Sequence, residues 1–335
     1  VRASSYGLRS EDLEVRLDAF LARHFKWRSR TSVQRLIKDG WTYVAGTAPG
    51  ESAGEELFRE RRPGRRLRDG ARVVVVIPPE ARLPVPEVSG EGLEVLYEDE
   101  DALAVDKPPG LPVHPSGRHH ADTLIQRVHA RYEESHLARG LAPRLCHRLD
   151  RETSGIVLVA KNPDAHRRLA TQFEDREVEK EYLAIVTGVP EREQGSITLP
   201  IGPARASRVR LKMTVAADGL PCRTDWRLLR AYGDCSLVAC RIQTGRQHQI
   251  RVHLAAIGHP VVGDKLYGPD ELLFCKHAEG ELTEEDLRQL ELPRHALHNH
   301  RLVFTSRVTG EAVEVVSPLP EDLRLHLAQR QLQDV

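Results

Sequence analysis

Apolar side chains at Leu13, Val15, Leu17, Phe20 and Leu21 fall near the three-to-four-residue spacing of one helical face, which predicts an amphipathic helix early in the chain. A second helix is expected over 32–39, with Thr31 or Ser32 as its N-cap and Gly40 just past its end. Short apolar runs predict strands at 41–44 and 72–77. The second, Arg72-Val73-Val74-Val75-Val76-Ile77, follows the turn pair Asp69-Gly70. Between these strands, 46–68 is rich in Gly, Pro, Glu and Arg and reads as an irregular surface loop. Four prolines across 78–92 mark a connector. The pattern divides the chain into a small domain over 14–79, a linker over 80–92 and a larger domain over 93–325.

The larger domain opens with apolar runs at 93–97 and 102–105 around the acidic turn Glu98-Asp99-Glu100-Asp101, the pattern of a hairpin. Helices are expected at 122–132, 163–173 and 283–290, and strands at 182–187 and 235–242. The run Gly155-Ile156-Val157-Leu158-Val159-Ala160 has no polar face and predicts a buried strand. Residues 246–257 begin as a turn and continue as a helix. Strands and helices mix without a strict βαβ rhythm, which favours an α+β fold over a doubly wound sheet.

Composition changes this picture little. The 335 residues suffice for one large domain and a small one. No apolar run approaches the roughly 20 residues needed to span a bilayer, so no membrane partner is expected, and no leader pattern opens the chain. Five cysteines form no Cys-x-x-Cys pair and leave one over, which fits a reducing cytoplasm better than a disulfide framework. Charge is more informative. The net value of zero hides a basic start, with 17 Lys/Arg against 11 Asp/Glu over 1–83, and an acidic end, with 7 against 13 over 270–335. A basic N-terminal domain suits a polyanionic partner.

Two segments concentrate chemistry. Cys146-His147-Arg148-Leu149-Asp150-Arg151-Glu152-Thr153-Ser154-Gly155 leads through small turn-forming residues into an apolar strand, a setting that aims a side chain into a cleft. Standing alone, an aspartate between arginines is an ordinary ion pair. Gln243-Thr244-Gly245-Arg246-Gln247-His248-Gln249-Ile250-Arg251-Val252-His253-Leu254 packs arginines, histidines and amides around one glycine. His248 and His253 are five apart, off the spacing of a helical zinc pair, and no His-Glu-x-x-His occurs, so no metal is expected.

Together these segments resemble the RluA family of pseudouridine synthases. Its Lys-Pro-x-Gly and Val-His-Pro elements appear as Lys107-Pro108-Pro109-Gly110 and Val113-His114-Pro115. Its His-Arg-Leu-Asp-x-x-Thr-Ser-Gly signature runs intact from His147 to Gly155. Lys180-Glu181-Tyr182, the run from Thr244 to His253, Gly258-His259-Pro260 and Gly263-Asp264-Lys265-Leu266-Tyr267 follow in order, so the likeness covers about 93–315. Gln247 departs from the family's usual Thr, and the acidic stretch 269–292 departs as well. The N-terminal domain resembles an S4 RNA-binding domain through Arg16-Leu17-Asp18-Ala19-Phe20-Leu21, Ser29-Arg30-Thr31-Ser32 and Leu36-Ile37-Lys38-Asp39-Gly40.

The resemblance implies an α+β catalytic domain with a mixed, largely antiparallel sheet and flanking helices, joined to a small S4-like α/β domain. It implies that uridine in RNA is converted to pseudouridine, in large-subunit rRNA or in tRNA, by a monomer without cofactor. Asp150 is then the nucleophile, either attacking C1′ or promoting a glycal route. Arg251 is its ion-pair partner and Tyr182 the aromatic that stacks on uracil. Arg148 helps extrude the base, because the glycosidic bond is out of reach inside a stack. Lys107, Arg246 and His248 contact substrate, and Arg30, Arg35 and Lys38 contact RNA from the small domain. Two other readings remain open: a non-catalytic RNA-binding protein, and a glycoside hydrolase with Glu152 as second carboxylate.

Overall fold

The valine run ending the small domain becomes an inner strand of a four-stranded antiparallel sheet. Strands β1 (Arg2–Gly7), β2 (Thr42–Ala45), β3 (Phe58–Glu60) and β4 (Arg72–Ile77) lie in the order β1-β4-β2-β3. Val73 and Val75, two apart on one face, pack against Leu17, Phe20 and Leu21 of helix α1 (Leu17–His24) and Val33 and Ile37 of α2 (Arg30–Lys38). Asp18 is buried at this junction, and Gln34 Nε2 (2.6 Å) and the Arg16 guanidinium (3.0 and 3.1 Å) satisfy its carboxylate. The computed structural model describes residues 2–7, 14–24, 30–45, 57–68, 71–77, 92–115, 122–132 and 142–333. It divides into two compact units, Val1–Val85 and Pro86–Val335.

In the second unit the strands are β5 (Glu94–Glu98), β6 (Ala102–Lys107), β7 (Arg144–Leu145), β8 (Ser154–Ala160), β9 (Glu179–Thr187), β10 (Gln194–Ile197), β11 (Ile201–Pro203), β12 (Met213–Val215), β13 (Thr224–Tyr232), β14 (Cys235–Ile242), β15 (Leu297–Thr305) and β16 (Ala312–Val316). The helices are α3 (Leu124–Arg131), α4 (Pro163–Glu174), α5 (Gln249–Ala256), α6 (Leu272–Glu279), α7 (Glu284–Leu290) and α8 (Glu321–Gln333). The main sheet runs β10-β13-β14-β9-β15-β8-β6-β5, antiparallel except where β15 meets β8. Strands β11 and β12 form a separate hairpin. This is a mixed α+β fold with a largely antiparallel sheet and flanking helices.

Every residue of β8 is buried, as a run without a polar face requires. Val157 and Val159 enter the larger core with Leu103, Val105 and Leu124, whereas Ile156, Leu158 and Ala160 face Ala165 and Leu169 of α4. Asn162 caps α4 by accepting from the Ala165 N–H, and Pro163 stands in the first turn, where no amide donor is needed.

Three differences from the sequence expectation concern boundaries. Strand β1 lies ahead of residue 14; its Arg-Ala-Ser-Ser-Tyr-Gly sequence has no apolar alternation, and only pairing with β4 makes it a strand. Strand β3 lies inside the stretch read as irregular, held by pairing with β2. Helix α8 continues past residue 325 to Gln333. The linker over 80–92 lies outside the described residues apart from Gly92.

Gly155 is fixed by this topology. Its φ is +107°, and a Cβ there would sit 2.3 Å from the Asn299 carbonyl oxygen on β15. The Gly155→Ala variant should lose about 3 kcal/mol or more of stability, read by urea unfolding. A midpoint equal to wild type would contradict the close approach of β8 and β15.

Candidate active site

Lys107 at the end of β6 is paired with Gly155 at the start of β8. That register brings the loop leaving β6 against the loop entering β8, and the Gly110 N–H donates to the Arg151 carbonyl at 2.8 Å. The Lys107 ammonium is fully buried beneath them, donating to the carbonyls of Pro108 (2.8 Å), Leu111 (3.0 Å) and Arg151 (3.0 Å). Burial pushes its pKa down to about 7, while three carbonyls match the three N–H bonds of the charged form. Lys107, expected as a substrate contact, has its three donors engaged within the two loops.

Asp150 ends on the open side of the second loop, with 23% of its side chain exposed. Arg251, in the first turn of α5, donates from Nη1 to Asp150 at 2.9 Å. Its Nε and Nη2 grip Asp264 at 2.6 and 2.8 Å. Asp264 is fully buried and also accepts from the amides of Leu266 and Tyr267. Burial works to raise the Asp150 carboxyl, but the adjacent Arg251 guanidinium holds it below the ordinary range. Burial likewise opposes ionisation of Asp264, which Arg251 holds well down. Asp150 is therefore an ionised carboxylate, partly open to solvent, beside a guanidinium that a second carboxylate anchors from behind.

His248 precedes α5 in the left-handed region, at φ 57°. Its Nδ1 is 2.8 Å from the Tyr267 hydroxyl, which accepts from the Met213 amide and so has its own proton for the ring. Its Nε2 is 3.9 Å from Asp150. Burial lowers the imidazole pKa to about 4, leaving it neutral near pH 7. The Arg251 guanidinium lies over the Tyr267 ring, 5.0 Å from its centroid.

Tyr182 on β9 is paired with Asn299 on β15, which in turn pairs with Gly155 on β8. The row joins Tyr182 to the strand that the Asp150 loop enters. The phenol is 6% exposed, and its pKa is raised by burial and then by the charge of Asp150. Arg148 and Arg246 are both exposed, with no side-chain hydrogen bond or ion pair among the described residues. Arg35 and Lys38 are exposed on α2, in the other unit; Arg30 opens α2, and its side chain lies outside the described residues.

For three residues of the quoted motifs the sequence carried no indication of the partner. Asp264 reads as a turn residue after Gly263, and only the fold turns its carboxylate onto Arg251. Glu152 is engaged by Lys265 at 2.9 Å and lies 3.5 Å from His277 and from His295, so it is a tied carboxylate and no second free acid. His147, a motif residue, accepts from the Leu158 amide at 3.0 Å and stacks on Phe173. Among the described residues no group of three or more His, Cys, Asp or Glu could hold a metal, and no helix is long and apolar enough to cross a membrane.

An RNA pseudouridylate synthase family profile matches residues 101–256, a span containing Asp150, Tyr182 and Arg251. An uncharacterized RNA pseudouridine synthase of Aquifex aeolicus is 40% identical over 78% of this chain and 82% of its own. The chain belongs to the RNA pseudouridine synthase family. A ribosomal large subunit pseudouridine synthase D of Zymomonas mobilis is 34% identical over 95% of this chain and 94% of its own. Among solved structures, human RNA pseudouridylate synthase domain containing 1 is 31% identical, with a TM-score of 0.54, covering 69% of this chain and 84% of that one. The present synthase is thus an isomerase: it exchanges the N1–C1′ bond of a uridine for a C5–C1′ bond.

The synthase buries four histidines around the site without charging them. Burial pushes His147 and His295 down to about 3, and His248 and His298 to about 4. An unfolded chain protonates these rings near pH 6.5, so between about pH 6.5 and 4 it binds more protons than the folded one. Their stability contribution is complete above that window and is lost as the pH falls through it. Urea unfolding should show a loss of at least about 2 kcal/mol between pH 7 and pH 5. A flat profile would mean that these rings are charged in the folded protein.

Proposed function

We propose that this synthase isomerises specific uridines of large-subunit ribosomal RNA, with Asp150 as nucleophile, Arg251 as its ion-pair partner and Tyr182 as the aromatic against the uracil ring. The observation that carries the assignment is the Arg251 bridge, which keeps a half-open Asp150 ionised while Asp264 fixes the guanidinium. An ionised carboxylate can attack C1′ or promote elimination from the sugar, and in both routes it departs again. The uracil then turns and rejoins through C5, whose hydrogen is lost to solvent while N1 regains a proton. No redox partner or phosphate donor is needed, and the reading includes no cofactor.

The exposed guanidinium of Arg148, two residues before Asp150, suits the extrusion of the target base, since the bond to be cleaved is inaccessible in a stack. His248, 3.9 Å from the carboxylate, and the exposed Arg246 two residues before it are the further substrate contacts of this reading. The Val1–Val85 unit acts as an S4-type RNA-binding domain, using Arg30, Arg35 and Lys38. Its two helices against a small sheet and its basic balance support that role. The relative named for the large ribosomal subunit, similar over nearly the whole chain, supports the choice of RNA. The enzyme is read as a cytoplasmic monomer.

Unmodified large-subunit rRNA and tRNA, each carrying 5-tritiated uridine, provide the test. Wild type should release tritium from the rRNA, and Asp150→Asn should release it at least about 10⁴-fold more slowly. Release confined to tRNA would overturn the substrate class. An Asp150→Asn rate equal to wild type would overturn the nucleophile.

A further inference from the structure

The acidic stretch 269–292, which departs from the family pattern, folds as a braced pair of helices. Glu271, the N-cap of α6, accepts from Ser207 Oγ at 3.0 Å and Lys212 Nζ at 2.7 Å in the basic turn between β11 and β12. Gly280 ends α6 in the left-handed region, at φ +79°. Lys276 Nζ reaches across to α7 and donates to both oxygens of Asp286, at 2.8 and 3.0 Å. The same carboxylate accepts from the amide and hydroxyl of Thr283, which caps α7. Leu273 and Leu290, one from each helix, are buried.

One side chain of this pair reaches the loop that carries Asp150. Successive side chains diverge by about 100° on a helix, so Lys276 turns to α7 while His277 turns to Arg151. His277 Nε2 lies 3.1 Å from Arg151 Nη2. A guanidinium has donors only, so Nε2 accepts and the ring proton sits on Nδ1. Arg151 follows Asp150 in the chain, and the backbone here is already held. Thr153 N–H donates to the Asp150 carbonyl at 3.2 Å, and Lys107 Nζ and Gly110 N–H donate to the Arg151 carbonyl at 3.0 and 2.8 Å. His277 adds a hold on the side chain.

The charges facing the ring are Arg151 and Glu152 from that loop and Lys265 from the turn after Gly263, while Lys276 of its own helix is engaged by Asp286. Burial, Lys265 and Arg151 hold the imidazole below its ordinary pKa, and Glu152 opposes them. Glu152 Oε1 is 3.5 Å from the same Nε2. Protonating Nε2 therefore ends its acceptance from Arg151 and offers a donor to Glu152 instead.

We propose that His277 is a positioning residue for the isomerisation: its neutral ring clamps Arg151, and with it the loop that aims Asp150, and in mild acid it changes partner to Glu152. This role rests on Asp150 as the nucleophile. The clamp is whole above the ring's pKa, which lies below about 6.5, and is lost as the pH falls through it. Asp150 ionises below the ordinary carboxylate range and stays charged across that window. A reacting group misplaced by about 1 Å can lose on the order of 100-fold in rate, so a loosened loop should cost about tenfold. The loss falls on kcat, because the clamp sets the aim of Asp150 and not the capture of RNA.

Tritium release from the RNA that serves in the assay above is followed from about pH 7.5 to 5, with folding checked by circular dichroism. His277→Ala should lower kcat about tenfold near pH 7.5 with KM unmoved. His277→Gln, whose amide oxygen accepts from Arg151 and does not titrate, should restore most of kcat and remove the acid decline that wild type shows. In ¹⁵N-histidine-labelled protein, Nε2 of His277 should carry no proton near pH 7.5, and Arg151→Met should raise the ring's pKa. Wild-type kcat in His277→Ala, an equal acid decline in His277→Gln, or a titration unmoved by Arg151→Met would overturn the clamp. Asp150→Asn turning over like wild type would sink the nucleophile reading, and the nitrogen titration would still decide whether the ring holds Arg151.

Discussion

The guanidinium of Arg251 joins two carboxylates that differ in exposure, and the rest of the site is arranged around that difference. Nε and Nη2 form a two-point grip on the buried Asp264, leaving Nη1 for the partly exposed Asp150. A planar fork can serve two partners at fixed angles; a lysine ammonium has no such geometry. Burying Asp264 without a partner would be prohibitive, so Arg251 cannot leave it, and breaking such a pair typically costs about 3–5 kcal/mol. The attraction that keeps Asp150 ionised therefore rests on a cation that is itself immobilised. Asp150 can react, and the counter-charge beside it stays in position.

That bridge needs a platform, which the central sheet provides. The β6–β8 register brings two loops together at one end of the sheet, and the Lys107 ammonium links three of their carbonyls from below. Behind the loops, Thr153 meets His295 at 2.7 Å and Ser154 meets His298 at 3.0 Å, so motif hydroxyls are consumed in fixing the strand entrance. His298 continues to Ser317, and Ser317 Oγ donates to Asp106 at 2.7 Å. These polar groups are buried and mutually satisfied, which makes the loops rigid at the cost of histidines that resist protonation.

Around this core the surface charge is unevenly neutralised. Glu152 is tied to Lys265, Arg294 to Asp322 and Lys212 to Glu271. Arg148, Arg246, Arg208 and Arg210 are left exposed without partners among the described residues. The acidic stretch that looks out of keeping with a nucleic-acid enzyme partly explains itself here, since Glu271 orders a basic turn.

The sequence alone determined the α+β class, the buried strand at 155–160, the neighbouring helices and the motifs around Asp150, Tyr182 and Arg251. These are legible because period, capping and turn residues act locally and because a reactive motif is contiguous. It did not determine that Lys107 is consumed internally, that Asp264 anchors Arg251, or that Glu152 is tied to Lys265. Each of those depends on partners distant in the chain, set by strand register. Strands β1 and β3 escaped for the same reason: backbone pairing with β4 and β2 makes them strands, and their side chains carry no alternating pattern. What a residue is can be read along the chain; which of its hydrogen bonds are already occupied is decided by the tertiary structure.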